Sequence, residues 1–326
     1  MRVVYRGVAG TVLAIALIFS AGCPTDGGTP TTQYRQDMRD LVEDISAYAR
    51  TLKSGFLVVP QNGLELLTTN GEADGPLDDD YIYAINGVGQ EHPFYGQDTF
   101  NFATNANDRD YYLEFLDRAE SAGLQAIVTD YCVTNSYVLN AYNQCTVRGY
   151  LSFSSTYDLD SIPSYPDDPF AENDDDVESL GDAKNFLYLI NGDNYASRTS
   201  FVSALAATNY DVLIIDPYQD GEAFTATQIN TLKVKANGGM RLVLAYLNIG
   251  AAENWRYYWQ PGWRVGSPSW IAGAYDGWPG EYWVKYWDPA WQSILYGNDS
   301  SYVKRIVDAG FDGVYLDNIL AFEYFE

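Results

Sequence analysis

Eight short apolar segments are the feature of this sequence that most constrains its fold. Most are apolar throughout rather than alternating with polar residues, which is typical of parallel strands buried on both faces. The segments are 56–60, 81–86, 125–131, 149–153, 185–191, 211–217, 241–250 and 313–318. The pattern therefore predicts eight parallel strands of the α/β class.

Helical patterns separate several of these segments. Apolar residues recur at helical spacing in 109–123, 198–208, 225–236 and 291–310. Thr225 and Gln228 have the spacing of a capping box, which begins a helix. Eight parallel strands with helices between them predict a single (β/α)8 domain, a TIM barrel with an eight-stranded parallel sheet. The length of 326 residues is normal for such a barrel.

The order of the elements is unusual for a barrel. An amphipathic helix over 37–52 precedes the first strand, and the sequence leaves no room for a helix after the last one. In a closed barrel the eighth strand neighbours the first, so the leading helix can cover the gap between them. The pattern indicates a barrel whose chain is opened at an unusual point.

The first residues have the pattern of an export signal. Arg2 and Arg6 precede an apolar run over 8–19, and small residues then lead to Cys23. This predicts a signal peptide over 1–22 and a lipid anchor at Cys23, as in bacterial lipoproteins. A plain secretory signal is the alternative. We expect an exported protein, held by its lipid at the cell envelope or cell surface.

The residues after Cys23 predict a tether and then one domain. Residues 23–36 are rich in Gly, Pro and Thr and are interpreted as a flexible tether, and 37–326 as the domain. Cys132 and Cys145 lie close together in an exported chain, which predicts a disulfide that closes one loop. Two free buried thiols are the alternative.

The charge balance limits the partners. The chain has 19 basic and 44 acidic residues and a net charge of −25. This argues against nucleic acid, which needs a basic surface, and fits a cationic or neutral partner. The alternative is that the acidity serves only solubility. We expect a monomer.

The residue types available also limit the chemistry. His92 is the single histidine, which excludes a His-rich zinc centre, and it is interpreted as an ordinary loop residue. The run 174–176 consists of three Asp within a long loop over 153–184 that is rich in Pro and Asp. It lacks the ligand spacing of an EF-hand and is interpreted as a solvated acidic loop. We expect neither a metal nor a cofactor.

Carboxylates follow the predicted strands where barrel enzymes place their chemistry, at the carboxyl ends. The five acidic side chains at these positions are Glu91, Asp130, Asp216, Glu253 and Asp317. A single Asp at a strand end more often caps the next helix. Five of them on one rim would repel each other unless they serve a function, so the sequence predicts a functional carboxylate cluster.

The tryptophans are concentrated beside this rim. All eight lie between Trp255 and Trp291, directly after the seventh predicted strand. Aromatic rings that stack on sugars, together with paired carboxyl groups, favour glycoside hydrolysis, which needs an acid and a nucleophile or base. The alternative is a lid packed by its own indoles. We expect both, with two or three aromatic side chains exposed as subsites.

Long motifs resemble glycoside hydrolase family 114, which contains endo-α-1,4-polygalactosaminidases. They are DVLIIDPYQDG, RLVLAYLNIGAAENWRYYW, DGWPGEYWVKYWDPAWQ and AGFDGVYLDNILAFEYFE. The segments FLVVPQNGLELL and YIYAINGVGQEHPFYG resemble segments that follow the GVYLD strand in many relatives, so the resemblance implies a circularly permuted order. It covers nearly all of 37–326. It implies hydrolysis of a partly deacetylated galactosamine polymer.

The resemblance also implies roles for single residues. Asp317 matches the proposed nucleophile or base, and Glu91 is the candidate general acid. Asp216 and Glu253 are expected to bind substrate or tune the pKa of the pair, and they are reserve candidates for catalysis. The expected substrate-binding residues are Asn62, Asp130, Tyr131, Asn248, Trp255, Trp278, Glu281, Tyr282, Trp287 and Asn318.

One position departs from the family pattern. Relatives commonly have IGEAE where this chain has Ala251 in place of the first Glu. Glu281 is a candidate to compensate for it. The departure keeps a second hypothesis open, that of a glycan-binding lipoprotein without catalysis. A metal-dependent polysaccharide deacetylase is a further alternative, which the single histidine disfavours.

Overall fold

The computed structural model describes residues 31–326. Its helices are α1 (Thr31–Leu52), α2 (Asp79–Ala84), α3 (Ala106–Ser121), α4 (Asn135–Arg148), α5 (Arg198–Ala206), α6 (Ala226–Leu232), α7 (Pro289–Leu295), α8 (Tyr302–Ala309) and α9 (Ala321–Phe325). Its strands are β1 (Leu57–Pro60), β2 (Gly87–Glu91), β3 (Gln125–Asp130), β4 (Leu151–Ser154), β5 (Phe186–Leu189), β6 (Val212–Ile215), β7 (Tyr218–Gln219), β8 (Glu222–Ala223), β9 (Leu242–Asn248), β10 (Ala251–Glu253), β11 (Ile271–Ala274), β12 (Glu281–Val284) and β13 (Gly313–Asp317).

Two parallel sheets form the centre of the molecule. One has five strands in the order β1-β13-β9-β6-β5, and the other has three in the order β2-β3-β4. The predicted α/β class with a parallel sheet is confirmed. Nearly all residues of these strands are buried, because helices cover the outer faces and side chains fill the interior. A smaller antiparallel sheet, β10-β12-β11, follows β9, and β7 and β8 form a hairpin.

The two parallel sheets adjoin at both edges. Between β1 and β2, the Asn86 amide donates to the Val58 carbonyl and the Asn62 amide to the Gly89 carbonyl, both at 2.8 Å. Between β4 and β5, strand pairing is interrupted within residues 31–326, and the rings of Phe153 and Phe186 lie 5.5 Å apart. The eight strands thus follow one another in chain order, but a closed eight-stranded ladder is not formed.

Helix α1 takes the place that the sequence predicts for it. Strand β13 pairs with β1 in parallel, and α1 contacts β1, α2 and α8. Its buried face has helical spacing and consists of Met38, Leu41, Val42, Ile45 and Ala49. Its beginning at Thr31 shows that the predicted tether ends earlier than 36. The short helix α9 also follows β13, where the sequence analysis left no room for one.

The predicted export features lie outside the described residues. These are the signal peptide over 1–22, the lipidation site Cys23 and the tether residues 24–30. Within residues 31–326, no helix is long and apolar enough to cross a membrane.

The strand predicted over 81–86 is wrong, because most of this segment is helix α2. The side chain of Asp78 accepts a hydrogen bond from the Tyr81 amide at 3.2 Å and caps the helix. Tyr81 is buried, whereas Tyr83 is 85% exposed, so the aromatic residues do not share one face as in a strand. The second strand is the next segment, β2.

Glycine is needed within β2 because a neighbouring side chain occupies the interior. A Cβ atom at Gly89 would lie 2.0 Å from the hydroxyl oxygen of Tyr315. Tyr315 belongs to β13, so the small residue in one strand accommodates a ring from another. This packing obscured β2 in the sequence, where two glycines resemble a loop.

The predicted disulfide between Cys132 and Cys145 is wrong, and the alternative of two free thiols is observed. Cys132 follows β3, while Cys145 lies on α4, a helix that the sequence analysis missed. Both side chains are buried. The thiols contact Ser154 and Ser152 of β4, respectively. Their roles are in packing.

The long acidic loop is confirmed, and a buried lysine anchors it. Within 155–185 only a short 3-10 helix, Leu180–Asp182, is present. The fully buried ammonium group of Lys235 donates to the carbonyls of Asn173 at 3.0 Å and Asp175 at 2.7 Å, and to Asp211 at 2.9 Å. Among residues 31–326, no group of three or more His, Cys, Asp or Glu is arranged to hold a metal.

The helix predicted over 291–310 is two helices. Asp288 caps α7 by accepting from the Ala290 amide at 2.9 Å, and α8 begins after Ser301. Gly297, with a φ of 89°, lies in the connection and interrupts the helical path.

Candidate active site

Several predicted site residues meet at the carboxyl edge of the parallel strands. Glu91 ends β2 and Asp317 ends β13, while Asn62 follows β1. The register of β9 and β13 places Asn248 directly beside Asp317. Because the strands are parallel, their ends share one rim, and the rim is polar where the strand interiors are apolar.

Glu91 is held by two hydrogen-bond donors. The Asn62 amide group donates to Oε2 at 2.8 Å, and the Tyr131 hydroxyl donates to Oε1. The backbone amide of Glu91 returns a bond to the Asn62 side chain at 3.2 Å. Burial and the charge of Glu91 raise the pKa of Tyr131 well above its usual range, so this phenol stays protonated. The two donors fix the position of the Glu91 carboxylate on the rim.

Asp317 also accepts two hydrogen bonds. The Tyr246 hydroxyl donates to Oδ2 at 2.6 Å, and the Asn318 amide donates to Oδ1 at 2.7 Å. Burial, followed by the charge of Glu91, raises the pKa of Asp317 to about 6, while the two donors oppose the rise. A carboxyl group with such a pKa can hold a proton near neutral pH.

Tyrosine rings occupy the interior beneath these two carboxyl groups. Burial and the charges of Asp317 and Glu91 raise the pKa of Tyr188 and Tyr315 well above the usual range. The Tyr188 hydroxyl donates to the Gln61 side chain at 2.9 Å. Because the charges of both carboxyl groups raise the pKa of the same two tyrosines, Glu91 and Asp317 lie close together, as the sequence predicted.

The reserve candidates Asp216 and Glu253 are joined by one arginine. Arg256 binds Glu253 through two nitrogens, at 2.6 and 2.9 Å, and Asp216 through a third at 2.8 Å. The Arg256 and Glu253 side chains are each only 5% exposed. A bidentate pair with this burial fixes geometry. These two carboxylates are therefore engaged with Arg256, which the sequence analysis did not identify.

Glu281 lies opposite Glu253 in the small antiparallel sheet. Burial and the charges of Glu253 and Asp317 raise the pKa of Glu281 well above its usual range. Asn248 donates to its Oε2 at 3.5 Å. Ala251, where relatives have Glu, is fully buried, and its amide donates to Asn248 at 2.8 Å. Glu281 and Ala251 thus contact the same asparagine beside Asp317.

Asp130 does not join the site. Its side chain is fully buried, and one oxygen, Oδ1, accepts from the amides of Phe94 and Tyr95, both at 2.8 Å. Burial raises its pKa to about 7, against the effect of these two amides. Asp130 therefore anchors the loop after β2, and its predicted role in substrate binding is not supported by this geometry.

The predicted aromatic subsites divide into exposed and packed side chains. Trp278 is 57% and Trp255 40% exposed, in the segment that leads into Glu281. Tyr282 stacks on Trp259 with ring centroids 5.0 Å apart. Trp287 packs against Tyr34 of α1 and Phe325 of α9, so its expected contact with substrate is not supported.

Most of the remaining indoles form the lid that the alternative hypothesis described. Trp259, Trp263, Trp270 and Trp291 follow one another in ring contacts of 5.0–5.4 Å. The buried Trp291 donates to the Ile249 carbonyl at 2.9 Å, which fixes the lid to the end of β9. The tryptophan-rich segment is therefore chiefly a packed cover, with two exposed indoles.

The C-terminal part of the chain is similar to a known protein family. Residues 179–325 match the model of glycoside-hydrolase family GH114. The resemblance predicted from the sequence is confirmed over these residues. GH114 is a family of glycoside hydrolases. It contains Asp317, Asp216, Glu253 and Glu281, whereas Glu91 lies outside it.

Three curated relatives match parts of the chain, and each is named as an uncharacterized protein. A protein of Thermotoga maritima is 36% identical over 120 residues, 37% of this chain and 36% of its own length. One of Deinococcus radiodurans is 38% identical over 122 residues, 37% of each chain. One of Methanocaldococcus jannaschii is 32% identical over 157 residues, 47% of this chain and 42% of its own. The chain thus spans less than half the length of these relatives.

Two further tyrosines of the GH114 segment belong to the site and escaped the sequence analysis. Tyr246 donates to Asp317, and Tyr275 donates to the side chain of Asn318 at 3.0 Å. Trp283 stacks between Tyr275 at 3.9 Å and Tyr324 at 5.2 Å. Tyr246 lies within an otherwise apolar strand, and its hydroxyl was the available signal. Tyr275 directly follows β11, and its sequence neighbourhood offers no such signal.

Proposed function

We propose that this protein is a glycoside hydrolase that cleaves an α-1,4-linked galactosamine-type polysaccharide with Asp317 and Glu91 as its catalytic carboxyl groups. The observation that carries the proposal is that these two groups sit on one rim, each with two donors, and that the charge of Glu91 raises the pKa of Asp317. Glycoside hydrolysis requires two carboxyl groups, one that protonates the leaving oxygen and one that acts as the nucleophile or base.

The geometry favours roles opposite to those that the resemblance implied. Asp317, with a pKa raised to about 6, is suited to protonate the leaving oxygen. Glu91, which accepts bonds from Asn62 and Tyr131, is suited to act as the nucleophile or base. Arg256 holds Asp216 and Glu253 in place beside this pair. The exposed Trp255 and Trp278 supply faces on which sugar rings stack.

The proposal includes a (β/α)8 barrel in circularly permuted order, whose strand ladder is interrupted between β4 and β5. It is supported by the chain-order succession of the eight parallel strands and by the pairing of β13 with β1. Glu91 then lies in a segment placed before the GH114 match rather than within it. The export signal, lipidation at Cys23 and a place at the cell envelope complete the proposal and rest on the sequence alone.

The decisive experiment measures reducing ends released from a partly deacetylated α-1,4-galactosaminan. We expect wild-type protein to cleave the polymer, and Asp317→Asn and Glu91→Gln to lose roughly 10²- to 10⁴-fold in rate. Asp299→Asn, which removes an exposed carboxylate elsewhere, serves as the control and keeps full activity.

Each other outcome has a defined meaning. Loss in only one of the two variants would move the second role to Glu281, whose raised pKa and position beside Asp317 make it the next acid. Binding of the polymer by the wild type without any release of reducing ends would establish the glycan-binding alternative. No effect of either substitution on an active wild type would refute the assignment.

A further inference from the structure

An acidic cleft opens beside the proposed catalytic pair. It has a volume of about 300 Å³ and lies between the end of β1, helix α3 and helix α9. Asn62 lines it and also donates to Glu91 at 2.8 Å. The cleft therefore adjoins the catalytic rim, and none of its other lining residues has a role in the proposed chemistry.

The charge of the cleft favours a cation. Glu65, Asp108 and Glu323 line it, and within the described part of the chain its lining has no Lys or Arg. The Arg35 guanidinium acts on Glu65 and Glu323, but it is bound through two nitrogens to Glu326, at 2.9 and 3.1 Å. The side chains around the cleft therefore carry a net negative charge.

One carboxyl group of the cleft is poised for such a partner. Glu323 is exposed at the rim, but the surrounding protein partly desolvates its carboxyl group. This desolvation and the charges of Glu65 and Glu326 raise the pKa of Glu323 to about 7. A cation bound between Glu65 and Glu323 would relieve their repulsion.

The remaining lining favours an organic cation that carries hydroxyl groups. Tyr111 and Tyr112 present rings, and the Tyr111 hydroxyl donates to Glu65, which fixes that carboxylate. Cations bind well over such rings. His92 also lines the cleft, and its Nδ1 atom is buried without a hydrogen-bond partner within residues 31–326. Burial lowers the pKa of His92, so the imidazole is neutral and can bond a hydroxyl group.

We propose that this cleft binds the ammonium group of an unacetylated hexosamine unit of the substrate, with Glu65 and Glu323 as its counter-ions. The three carboxylates are not arranged as a metal site, whereas rings, carboxylates and a free imidazole nitrogen together match an amino sugar. The cleft is then a subsite next to the catalytic pair. This inference rests on the proposed function for its substrate class, but not on turnover.

The test measures the equilibrium binding of galactosamine and of N-acetylgalactosamine, with saturation-transfer NMR as the readout. The variants are Glu65→Gln and Glu323→Gln, and Glu178→Gln is a matched control that removes an exposed carboxylate outside the cleft lining. We expect both cleft variants to bind galactosamine at least about tenfold more weakly, and the control to bind like the wild type. N-acetylgalactosamine, which has no ammonium group, should bind all four proteins alike.

Several outcomes would overturn the subsite. They are the absence of galactosamine binding to the wild type, unchanged affinity in both cleft variants, and an equal loss in the control. Reducing-end release is measured separately on the same proteins. Hydrolysis without cleft-dependent binding refutes the subsite alone, and cleft-dependent binding without hydrolysis refutes the proposed function alone.

Discussion

At the scale of single residues, the proton on Asp317 decides the pH dependence. If Asp317 protonates the leaving group, kcat/KM falls as the pH rises through about 6, because the acid loses its proton. The hydrogen bond from Tyr246 lowers this pKa, so Tyr246→Phe should move the falling limb to higher pH. The measurement is a pH–rate profile of both proteins.

The exposed Tyr83 provides the control for this experiment. Tyr83→Phe removes a hydroxyl group from a side chain that is 85% exposed, and it should leave the profile unchanged. A wild-type profile that instead rises through pH 6 would assign Asp317 the role of base. The roles implied by the resemblance would then be right.

A second prediction concerns Arg256. Replacing it with Met leaves the buried Glu253 and the nearby Asp216 without their partner, which costs about 3–5 kcal/mol of unfolding free energy. Urea unfolding measures the loss, and Arg305→Met, at an exposed side chain that stacks on Tyr257, should cost less. Equal losses would show that the carboxylate bridge adds no stability of its own.

The sequence predicted the carboxylates of the site better than their partners. Asp317 ends an apolar strand, which is a pattern that one sequence displays, whereas Glu91 ends β2, whose glycines hide the strand. The pairing of Arg256 with Asp216 crosses between two elements, and no local pattern encodes it. Asp130 has the same strand-end position as Glu91, but its side chain turns toward the amides of Phe94 and Tyr95. Only the path of the loop distinguishes the two acids.

At the scale of elements, Asp130 makes the loop after β2 sensitive to pH. Its pKa is about 7 in the folded protein and about 3.9 in an unfolded chain, so folding favours the protonated form. The stability from this group is complete below about pH 4 and is lost as the pH rises through about 7. Asp130→Asn keeps an oxygen for both amides and removes the titration.

Urea unfolding at pH 5 and pH 8 tests this prediction. From pH 5 to pH 8, the wild type should lose unfolding free energy relative to Asp130→Asn. The loss is about 1.4 kcal/mol for each pH unit in which Asp130 is protonated in the folded protein and ionised in the unfolded chain. Asp299→Asn, at an exposed site, should follow the wild type. A constant difference between wild type and Asp130→Asn would show that Asp130 is ionised throughout.

Seven of the eight predicted strands correspond to observed strands. A short run that is apolar throughout suits a strand that is buried on both faces. The segment 81–86 failed because the cap at Asp78 and the burial of Tyr81 select a helix, against the strand preference of its residues. Helix α4 escaped because its buried residues Val138, Ala141, Tyr142 and Cys145 are interspersed with polar ones.

At the scale of the whole molecule, the net charge of −25 should govern encounter with a cationic polymer. Raising the salt from 0.01 M to 1 M shortens the screening length from about 30 Å to about 3 Å. We expect kcat/KM on a deacetylated galactosaminan to fall steeply over this range. On a fully N-acetylated polymer of equal length it should change little, and equal salt dependence would contradict electrostatic steering.

The overall architecture was predictable only to the level of parallel strands in chain order. The pairing of β13 with β1 was expected, because the eighth strand of a barrel neighbours the first. The break between β4 and β5 was not, because it depends on how Phe153 and Phe186 pack after a long loop. Contacts between distant segments have no local signature in the sequence.

The pairing of Arg35 with Glu326 brings the two ends of the described chain together. Arg35 also acts on Glu65 and Glu323, so the first turns of α1 lie beside the acidic cleft. A bulky fusion partner joined just before Thr31 would therefore crowd the entrance for substrate. An affinity tag inserted between the exposed residues Asn237 and Gly238, which precede β9 at the opposite end of the strands, would leave that entrance open.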